Sequence, residues 1–272
     1  MRRGNKIDIR CCDNLELMAE IEDNTVDLIY CDVLYGTGRK FTDYQDLKPK
    51  REIIEEHYIP RIKEMHRILK DTGSIYLQMD TKINHWLRCI LDDVFGYGNF
   101  LNEIIWWYYN SQSNVKNNYK SKHDNILYYK KSNKYTFNLN DIGLNYNEKQ
   151  IKRFSKEDEN GKYYNNVTQQ GKKVKVYFDD KKVINLQNVW DIPISQKTEY
   201  STQKPKALIE RIIKASSNEG DLVADFYAGS FTTAEVCKDL NRSFIGCDIS
   251  ETAVEIGLKR VNKIKIKPFF FL

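Results

Sequence analysis

The sequence lacks the features of a secreted, membrane-spanning or zinc-binding protein. No apolar run approaches the length of a membrane span, and none follows the basic N-terminal residues, so we expect neither a membrane segment nor a secretory signal. The six cysteines form no Cys-x-x-Cys pair. This spacing argues against a zinc site or a disulfide framework, and it predicts reduced, buried thiols in a cytoplasmic protein without a bound metal.

Internal repeats and the Gly-x-Gly-x-x-Gly fingerprint of dinucleotide-binding proteins are absent as well. With 272 residues, the chain is long enough for one large domain, with or without an insertion. Its net charge of +5 is unevenly spread, because residues 111–182 hold sixteen Lys and Arg against eight Asp and Glu. This basic stretch is either a lysine-rich solvated surface or a surface that contacts phosphates.

Apolar periodicity predicts an α/β protein. A short strand over 6–10, a helix over 15–21 and a buried strand over 26–31 form a β-α-β unit, which favours a parallel sheet. The segment Cys11-Cys12-Asp13-Asn14 is expected to be a turn that contains an N-cap candidate for this helix.

The next stretch, residues 51–70, also has helical spacing, but it contains Pro60. Proline removes a helical hydrogen bond, so we expect two segments or a kink. Asp71-Thr72-Gly73 is typical of a turn, and we expect it to end this helix before a strand over 74–79.

The buried strand over 26–31 leads directly into Asp32-Val33-Leu34-Tyr35. A carboxylate and a phenol three positions apart then lie at the carboxyl end of a strand, where open α/β sheets bind ligands. A carboxylate accepts a hydrogen bond from an amino group, and an aromatic ring stacks on a flat heterocycle. This pair suits chemistry on the exocyclic amine of a nucleobase, although the same residues are also common as turn and rim residues.

A second site is predicted near the end of the chain. A strand over 221–226 is followed by a turn with Gly229 and Ser230 and by a helix, so backbone N–H groups at the helix start can hold a polar ligand. The next strand ends in Asp248, at the usual distance for an acid that binds ribose hydroxyls. Without the glycine fingerprint, a nucleoside without a pyrophosphate fits better, and S-adenosylmethionine is one.

These segments occur in the order of a known family. Similar segments lie between and around them, at 35–41, 64–70, 73–77, 99–106, 123–129, 135–138, 189–191 and 202–205. The ordered set resembles the permuted, β-type class of amino-group DNA methyltransferases, and the adenine-N6 members most. In that family a catalytic Asp-Pro-Pro-Tyr segment comes first, a target-recognition insertion second and the segment Asp-Pro-Phe-x-Gly-Ser-Gly-Thr-Thr last. The resemblance covers nearly the whole chain except about 141–182.

The resemblance implies a Rossmann-like, S-adenosylmethionine-dependent methyltransferase fold, with a doubly wound, mostly parallel sheet. Asp32 would accept from the N6 amine of a flipped adenine, the carbonyl of Val33 would accept its second hydrogen, and Tyr35 would stack on the base. Asp248 would bind the cofactor's ribose and Lys204 its carboxylate. The complete set of implied cofactor contacts is Asp13, Asp32, Lys204, Asp225, Phe226, Tyr227, Ala228, Gly229, Ser230, Thr232 and Asp248.

The resemblance also implies double-stranded DNA as the substrate and a nucleoid-associated location. Residues 1–138 would be the catalytic half, 139–188 the target-recognition insertion and 189–272 the cofactor-binding half, with DNA contacts over about 110–188. The apolar tail 269–272 is expected to pack on its own domain; a homodimer and a partner restriction endonuclease stay open. The candidate DNA contacts are Arg39, Lys40, Lys120, Lys122, His123, Lys130 and Lys131.

The departures from the family pattern that matter are in the catalytic segment and in the cofactor turn. Val33 and Leu34 replace both prolines of the catalytic segment, which should loosen the strand end that holds Asp32. Phe231 replaces a glycine of the cofactor turn, where we expect backbone strain if φ is positive and a ring that fills part of the cofactor pocket. The alternatives to an adenine-N6 enzyme are therefore a catalytically inactive DNA-binding or partner-activating relative, or a cytosine-N4 enzyme. Those enzymes often carry Ser where this chain has Asp32.

Overall fold

The computed structural model describes residues 5–40, 45–108, 115–179, 184, 186–194 and 203–262. The predicted apolar tail 269–272 and part of the predicted DNA-contacting stretch lie outside the described residues. The chain divides into two compact units. The larger unit combines Met1–Phe137 with Asn188–Leu272, and the smaller unit is Asn138–Gln187.

The strands of the described residues form two sheets. In chain order, the strands are β1 (Ile7–Cys11), β2 (Val26–Asp32), β3 (Leu69–Met79), β4 (Phe100–Trp107), β5 (His123–Lys130), β6 (Lys156–Asp158), β7 (Gly161–Val167), β8 (Lys173–Tyr177), β9 (Val189–Asp191), β10 (Leu222–Asp225) and β11 (Ser243–Asp248).

The larger unit is built on an eight-stranded sheet in the order β1-β11-β10-β2-β3-β5-β4-β9. Only β5 runs antiparallel to its neighbours, β3 and β4; the other pairs in this sheet are parallel. The expected mostly parallel sheet is therefore confirmed. The last two strands, β10 and β11, lie between β1 and β2, so both ends of the chain build the same part of the sheet.

Helices cover both faces of this sheet. They are α1 (Asn14–Ala19), α2 (Arg51–Ile68), α3 (Asn84–Phe95), α6 (Lys206–Ser216), α7 (Thr232–Asp239) and α8 (Glu251–Asn262), while α4 (Leu139–Ile142) and α5 (Glu148–Ile151) belong to the smaller unit.

Successive side chains of the buried strand β2 point to opposite faces. Ile29 packs into a core with α1, α2 and α3, and Leu28 and Tyr30 pack into a second core with α6, α7 and α8. This is the doubly wound arrangement. Within the described residues, no helix is both long and apolar enough to cross a membrane.

The prediction that Pro60 divides the helix into two segments is wrong, because α2 is continuous from Arg51 to Ile68. Pro60 lies on the exposed face of α2, where water can satisfy the carbonyl that loses its helical partner. Tyr58 and Ile62, on either side of the proline, are buried in the core. Packing on both sides of the proline therefore keeps α2 a single helix.

The predicted turn at Asp71–Gly73 is also wrong. The chain passes directly from α2 into β3, and these residues are part of the strand. The pairing of β2 with β3 is irregular between Val26 and Leu28, as in a β-bulge. A Cβ atom at Gly73 would lie 2.9 Å from the carbonyl oxygen of Asp27. The glycine therefore marks a close approach of two strands and not a turn.

The smaller unit contains a three-stranded antiparallel sheet, in the order β6-β7-β8. Tyr164 of β7 lies edge-on to the buried ring of Phe154, with 5.1 Å between the ring centroids. Phe178 also packs on Phe154, at 5.2 Å. An aromatic cluster thus gives this unit a small core of its own.

The six thiols are free, but they are not all buried as expected. Cys31, Cys237 and Cys247 are buried, whereas Cys11 and Cys89 are exposed. Cys31 lies on the central strand β2, and burial raises the pKa of its thiol well above the usual range. The buried thiols thus behave as small apolar side chains.

Candidate active site

The two predicted sites meet at one edge of the sheet. Strands β2 and β10 are parallel neighbours, with Leu28 beside Val223. Their carboxyl ends carry Asp32 and Asp225, so these two acids lie at the same edge although 193 residues separate them in the sequence. A cavity of about 240 Å³ opens there. All the predicted catalytic and cofactor residues line it, namely Asp13, Asp32, Val33, Tyr35, Lys204, Asp225, Phe226, Tyr227, Ala228, Gly229, Ser230, Thr232 and Asp248.

The Asp32 carboxylate lies between a cation and a phenol. One oxygen is 2.6 Å from Nζ of Lys204, and the other lies 2.9 Å from the hydroxyl oxygen of Tyr35. Burial raises the pKa of Asp32, and Lys204 opposes this increase. Burial also lowers the pKa of Lys204, but the carboxylates of Asp32 and Asp124 raise it by more. Lys204 was expected at the cofactor's carboxylate, yet here its ammonium group pairs with Asp32.

Tyr35 contacts a second carboxylate that the sequence did not single out. Its hydroxyl is 2.6 Å from Oδ2 of Asp124, at the start of β5. Asp124 also accepts hydrogen bonds from the hydroxyl of Tyr108, at 3.0 Å, and from the amide of Gln78, at 3.0 Å. Only the presence of an acid in a strand of buried apolar residues could have drawn attention to Asp124.

The catalytic segment is held by hydrogen bonds where the family has prolines. The N–H of Val33 donates to the carbonyl of Gln78 at 3.0 Å, which extends the pairing of β2 with β3 beyond Asp32. The carbonyl of Leu34 accepts from the buried hydroxyl of Tyr58 at 2.8 Å. A proline at position 33 has no N–H and could not make the first bond. The bond of Val33 thus holds this strand end in the structure, and the expectation that losing the prolines loosens it stays a prediction.

The cofactor segment is a tight turn between β10 and α7. The N–H of Gly229 donates to Oδ2 of Asp248 at 2.9 Å, and φ of Gly229 is 49°. The Asp225 carboxyl accepts from the hydroxyl of Thr233 at 2.6 Å and from the N–H of Tyr227 at 3.1 Å. Burial, which outweighs these bonds, raises the pKa of Asp225 to about 7. Asp248 therefore shapes this turn from the end of the neighbouring strand.

Phe231 has the expected left-handed backbone but points away from the cavity. Its φ is 55°, and its side chain is completely buried. The ring lies edge-on to Phe244, with 6.3 Å between the centroids, and covers Gly257 of α8. A Cβ atom at Gly257 would lie 2.5 Å from the Phe231 ring. The prediction that this ring fills part of the cofactor pocket is wrong, because the absence of a side chain at Gly257 provides its space in the core.

The far wall of the cavity is formed by α1 and α2. Asp13, in the turn where an N-cap was expected, is the N-cap of α1 and accepts from the N–H of Leu15 at 2.8 Å. Its second oxygen is 3.0 Å from the guanidinium of Arg61. His57 bonds to the hydroxyl of Tyr227 at 2.9 Å, and burial with the charge of Arg61 lowers the pKa of His57 to about 4. Neither Arg61 nor His57 was predicted from the sequence.

The predicted DNA contacts do not come together at one place. Arg39 and Lys40 are exposed after the catalytic segment, in a loop held by the buried carboxylate of Asp46. Lys130 and Lys131 lie at the opposite end of β5 from Asp124, and so at the other edge of the sheet. Nζ of Lys131 donates to the carbonyl of Leu69 and to Asn24 there.

The other predicted DNA contacts lie where β5 begins, at the same edge of the sheet as Asp124. Lys120 is exposed, whereas Lys122 and His123 are partly buried. The carbonyl of Lys122 accepts a hydrogen bond of 2.9 Å from the N–H of Tyr108. The predicted DNA contacts on the same side of the sheet as the candidate active site are therefore Arg39, Lys40, Lys120, Lys122 and His123.

An acid–phenol pair thus lies beside a small-residue turn at the carboxyl edge of the sheet, as the resemblance to the amino-group DNA methyltransferases implies. The chain belongs to the N6/N4 DNA methylase family, whose model matches residues 26–259. This confirms the family and the fold class predicted from the sequence.

The similarity to particular proteins is extensive. The chain is 32% identical over 258 residues to the type II methyltransferase M.HpaI of Haemophilus parainfluenzae, with 93% of this chain and 73% of the relative covered. It is 32% identical over 256 residues to the DNA adenine methyltransferase YhdJ of Escherichia coli strain K12, with 92% and 81% covered. In fold, it is similar to the cytosine-N4-specific PvuII DNA methyltransferase, with a TM-score of 0.69, 15% identity and 98% and 92% covered.

Proposed function

We propose that the protein transfers the methyl group of S-adenosylmethionine to the N6 amine of an adenine in double-stranded DNA. The observation that carries this proposal is the shared cavity, whose wall holds both the Asp32–Tyr35 pair and the turn from Asp225 to Ser230. A base amine at the first site and a methyl donor at the second would be held within one space. Holding two reactants together in this way accounts for a large part of such catalysis.

The residues of the cavity fit this cofactor, which when bound supplies a methyl group on a positively charged sulfur. The carboxyl groups of Asp13, Asp225 and Asp248 line the wall, so the cavity offers acceptors for hydroxyl and amino groups and a negative environment for a sulfonium ion. Gly229, with its positive φ, lets the backbone of the turn approach a ligand closely. The family membership supports the same cofactor.

Three residues of the catalytic segment each make a different contact with the target base. Asp32 accepts one hydrogen of the target amine, and the carbonyl of Val33 accepts the other. Tyr35 stacks on the base that has been flipped out of the duplex. Lys204, at 2.6 Å, stabilises the charged form of Asp32, which is the form that accepts a hydrogen bond. These contacts direct the lone pair of the amine at the methyl group.

Adenine is favoured over cytosine by the acid at position 32 and by the relatives. Asp32 is typical of adenine-N6 members of the family, whereas cytosine-N4 members often carry Ser there. The YhdJ relative, at 32% identity, is named a DNA adenine methyltransferase. The PvuII enzyme, named cytosine-N4-specific, is similar in fold at only 15% identity and so carries less weight for the choice of base.

The protein is proposed to be active despite its departures from the family pattern. The bonds of Val33 to Gln78 and of Leu34 to Tyr58 fix the segment that the prolines would stiffen. The ring of Phe231 leaves the cavity open, because it occupies the core beside Gly257. The changes at positions 33 and 231 thus come with a compensating feature, the N–H of Val33 that proline lacks and the space beside Gly257.

DNA would approach the edge of the sheet that carries the cavity. Arg39, Lys40, Lys120 and Lys122 are the proposed phosphate contacts, since they follow the catalytic segment or precede β5 at that edge. Lys131 is not among them, because its ammonium group is bonded at the opposite edge. The M.HpaI relative is named a type II methyltransferase, so a companion restriction endonuclease is proposed as a functional partner.

Nucleoside mass spectrometry tests this function directly. The full-length protein is incubated with S-adenosylmethionine and unmethylated genomic DNA, and the DNA is digested to nucleosides. We expect N6-methyladenine, and a loss of at least ~100-fold in the Asp32→Asn variant, which loses the charged acceptor. Asp92→Asn is the matched control, because the Asp92 carboxylate also accepts from a tyrosine, Tyr129, but lies outside the cavity.

Two other results would replace this proposal. N4-methylcytosine as the product would change the target base and retain the mechanism. No methylated nucleoside from a folded protein that still binds DNA would favour the inactive relative. Equal activity of the Asp32→Asn variant and the unaltered protein would show that the acid is not the acceptor.

A further inference from the structure

Asp124 lies where it can control the hydrogen bonds of the catalytic acid. We propose that Asp124 is a positioning residue, which binds the hydroxyl proton of Tyr35 and so keeps one oxygen of Asp32 available for the target amine. This inference rests on the proposed methyl transfer to a base amine. It assigns a role to a residue of β5, outside the catalytic segment itself.

The geometry of the hydroxyl supports this role. Tyr35 has one hydroxyl proton and two carboxylates within reach, Asp124 at 2.6 Å and Asp32 at 2.9 Å. A phenol donates one hydrogen bond at a time. The shorter distance assigns the proton to Asp124. The oxygen of Asp32 that faces Tyr35 then has no proton from this hydroxyl and remains an acceptor.

The hydrogen bonds of Asp32 explain why the acceptor of the Tyr35 proton matters. Its other oxygen is already bonded to the ammonium group of Lys204, at 2.6 Å. If Tyr35 also donated to Asp32, each oxygen would already accept one hydrogen bond before the substrate arrived, and the amine would have to share the second oxygen with a phenol. Asp124 removes that competitor without moving the Tyr35 ring, which is needed for stacking.

Asp124 is itself firmly held. Besides Tyr35, it accepts from the hydroxyl of Tyr108 and from the amide nitrogen of Gln78, each at 3.0 Å. The amide of Gln78 is oriented by Tyr30, whose hydroxyl donates to Oε1 of Gln78 at 2.9 Å. Three donors compensate a buried carboxylate for the water it has lost. The network therefore fixes an acceptor at the point where Tyr35 needs one.

A double-mutant cycle separates positioning from a merely structural role. Asp124→Asn replaces the carboxylate with a weaker acceptor of the same shape, and Tyr35→Phe removes the competing hydroxyl and keeps the ring. We expect Asp124→Asn to lower kcat by ~10- to 100-fold, with the affinity for S-adenosylmethionine changed less than ~2-fold. Adding Tyr35→Phe should then recover at least ~5-fold of the lost kcat, because Asp32 regains its free oxygen.

Asp92→Asn is again the control, since the Asp92–Tyr129 bond is also 2.6 Å long and lies away from the cavity. It should leave kcat unchanged. The proposal is overturned if the double variant is no more active than Asp124→Asn, or if Asp124→Asn is as active as the unaltered protein. The proposal is also contradicted if Asp124→Asn lowers the melting temperature but leaves kcat unchanged.

If the unaltered protein transfers no methyl group, the proposed function fails, and a second measurement tests the hydrogen bond from Tyr35 to Asp124 by itself. Tyrosines are labelled with ¹³C at Cζ, and the Tyr35 signal is assigned with the Tyr35→Phe variant. Asp124→Asn should shift this signal, because the acceptor of the hydroxyl changes, whereas Asp92→Asn should leave it in place. An unshifted Tyr35 signal in Asp124→Asn would overturn the proposal.

Discussion

Restoring the family's first proline should weaken this protein. The change Val33→Pro removes the N–H that donates to the Gln78 carbonyl at 3.0 Å. Both residues are buried, with Val33 3% exposed and Gln78 fully buried, so water cannot replace the lost donor. An unpaired buried carbonyl costs about 1–3 kcal/mol. The proline itself stabilises the folded state by about 0.4–1 kcal/mol, because it restricts the conformations of the unfolded chain. The free energy of unfolding should therefore fall by about 1.3 kcal/mol, the difference between the midpoints of these two ranges.

Leu34→Pro is the matched control for the effect of proline itself. Within the described residues, no hydrogen bond from the Leu34 N–H is found, and the carbonyl that accepts from Tyr58 is retained in proline. Urea unfolding followed by tryptophan fluorescence gives the free energy of each variant. Val33→Pro should be less stable than both the unaltered protein and Leu34→Pro. If Val33→Pro is as stable as the unaltered protein, the bond to Gln78 does not replace the proline, and the reasoning fails.

Three further predictions concern charge and packing around the cavity. Lys204→Met should move the acidic limb of the pH profile of kcat to higher pH, because Lys204 opposes the effect of burial, which raises the pKa of Asp32. If the pH profile does not move and the affinity for the cofactor falls strongly, Lys204 binds the cofactor instead. The pKa of Asp225 rises on folding to about 7, so its contribution to stability is full below about pH 4 and is lost as the pH rises to 7. The Asp225→Asn variant should therefore become more stable relative to the unaltered protein as the pH rises over this range. The gain, measured by urea unfolding at pH 8, should be at most about 4 kcal/mol. If there is no gain, burial does not raise the pKa of Asp225. Gly257→Ala should destabilise the protein by about 1–3 kcal/mol, because the new Cβ atom would clash with the Phe231 ring. In a Phe231→Gly background the same change should have little effect. If thermal unfolding shows that the two substitutions have additive effects on stability, the contact between positions 231 and 257 is refuted.

The parts of the fold that follow from local patterns could be predicted from the sequence. The alternation of buried strands and amphipathic helices indicates a mostly parallel sheet, and a polar residue at a strand's carboxyl end marks an edge where ligands bind. Asp32 and Asp225 are both found in this way. That they share one cavity depends on β2 and β10 being neighbours, which the family order implied but local patterns do not reveal.

The parts that could not be predicted depend on contacts between distant residues. Nothing near Asp124 in the sequence shows that its carboxylate meets Tyr35, 89 positions earlier. Likewise, Phe231 in isolation suggested a blocked pocket, because the space for its ring is created by Gly257 on another helix. Pro60 was expected to divide α2, but burial of Tyr58 and Ile62 on either side overrides the local preference.

The order of the strands also has a consequence for synthesis of the chain. Strands β1 and β2 leave the ribosome first, yet the gap between them is filled only by β10 and β11, which are made last. Strand β1 pairs with β11 alone in the described sheet, so Ile7–Cys11 have no strand partner until residues 243–248 are available. Such long-range pairing is slow to form and leaves strand edges open in the meantime. A chain whose synthesis has not reached β10 and β11 therefore lacks the part of the cavity wall that Asp225 and Asp248 form.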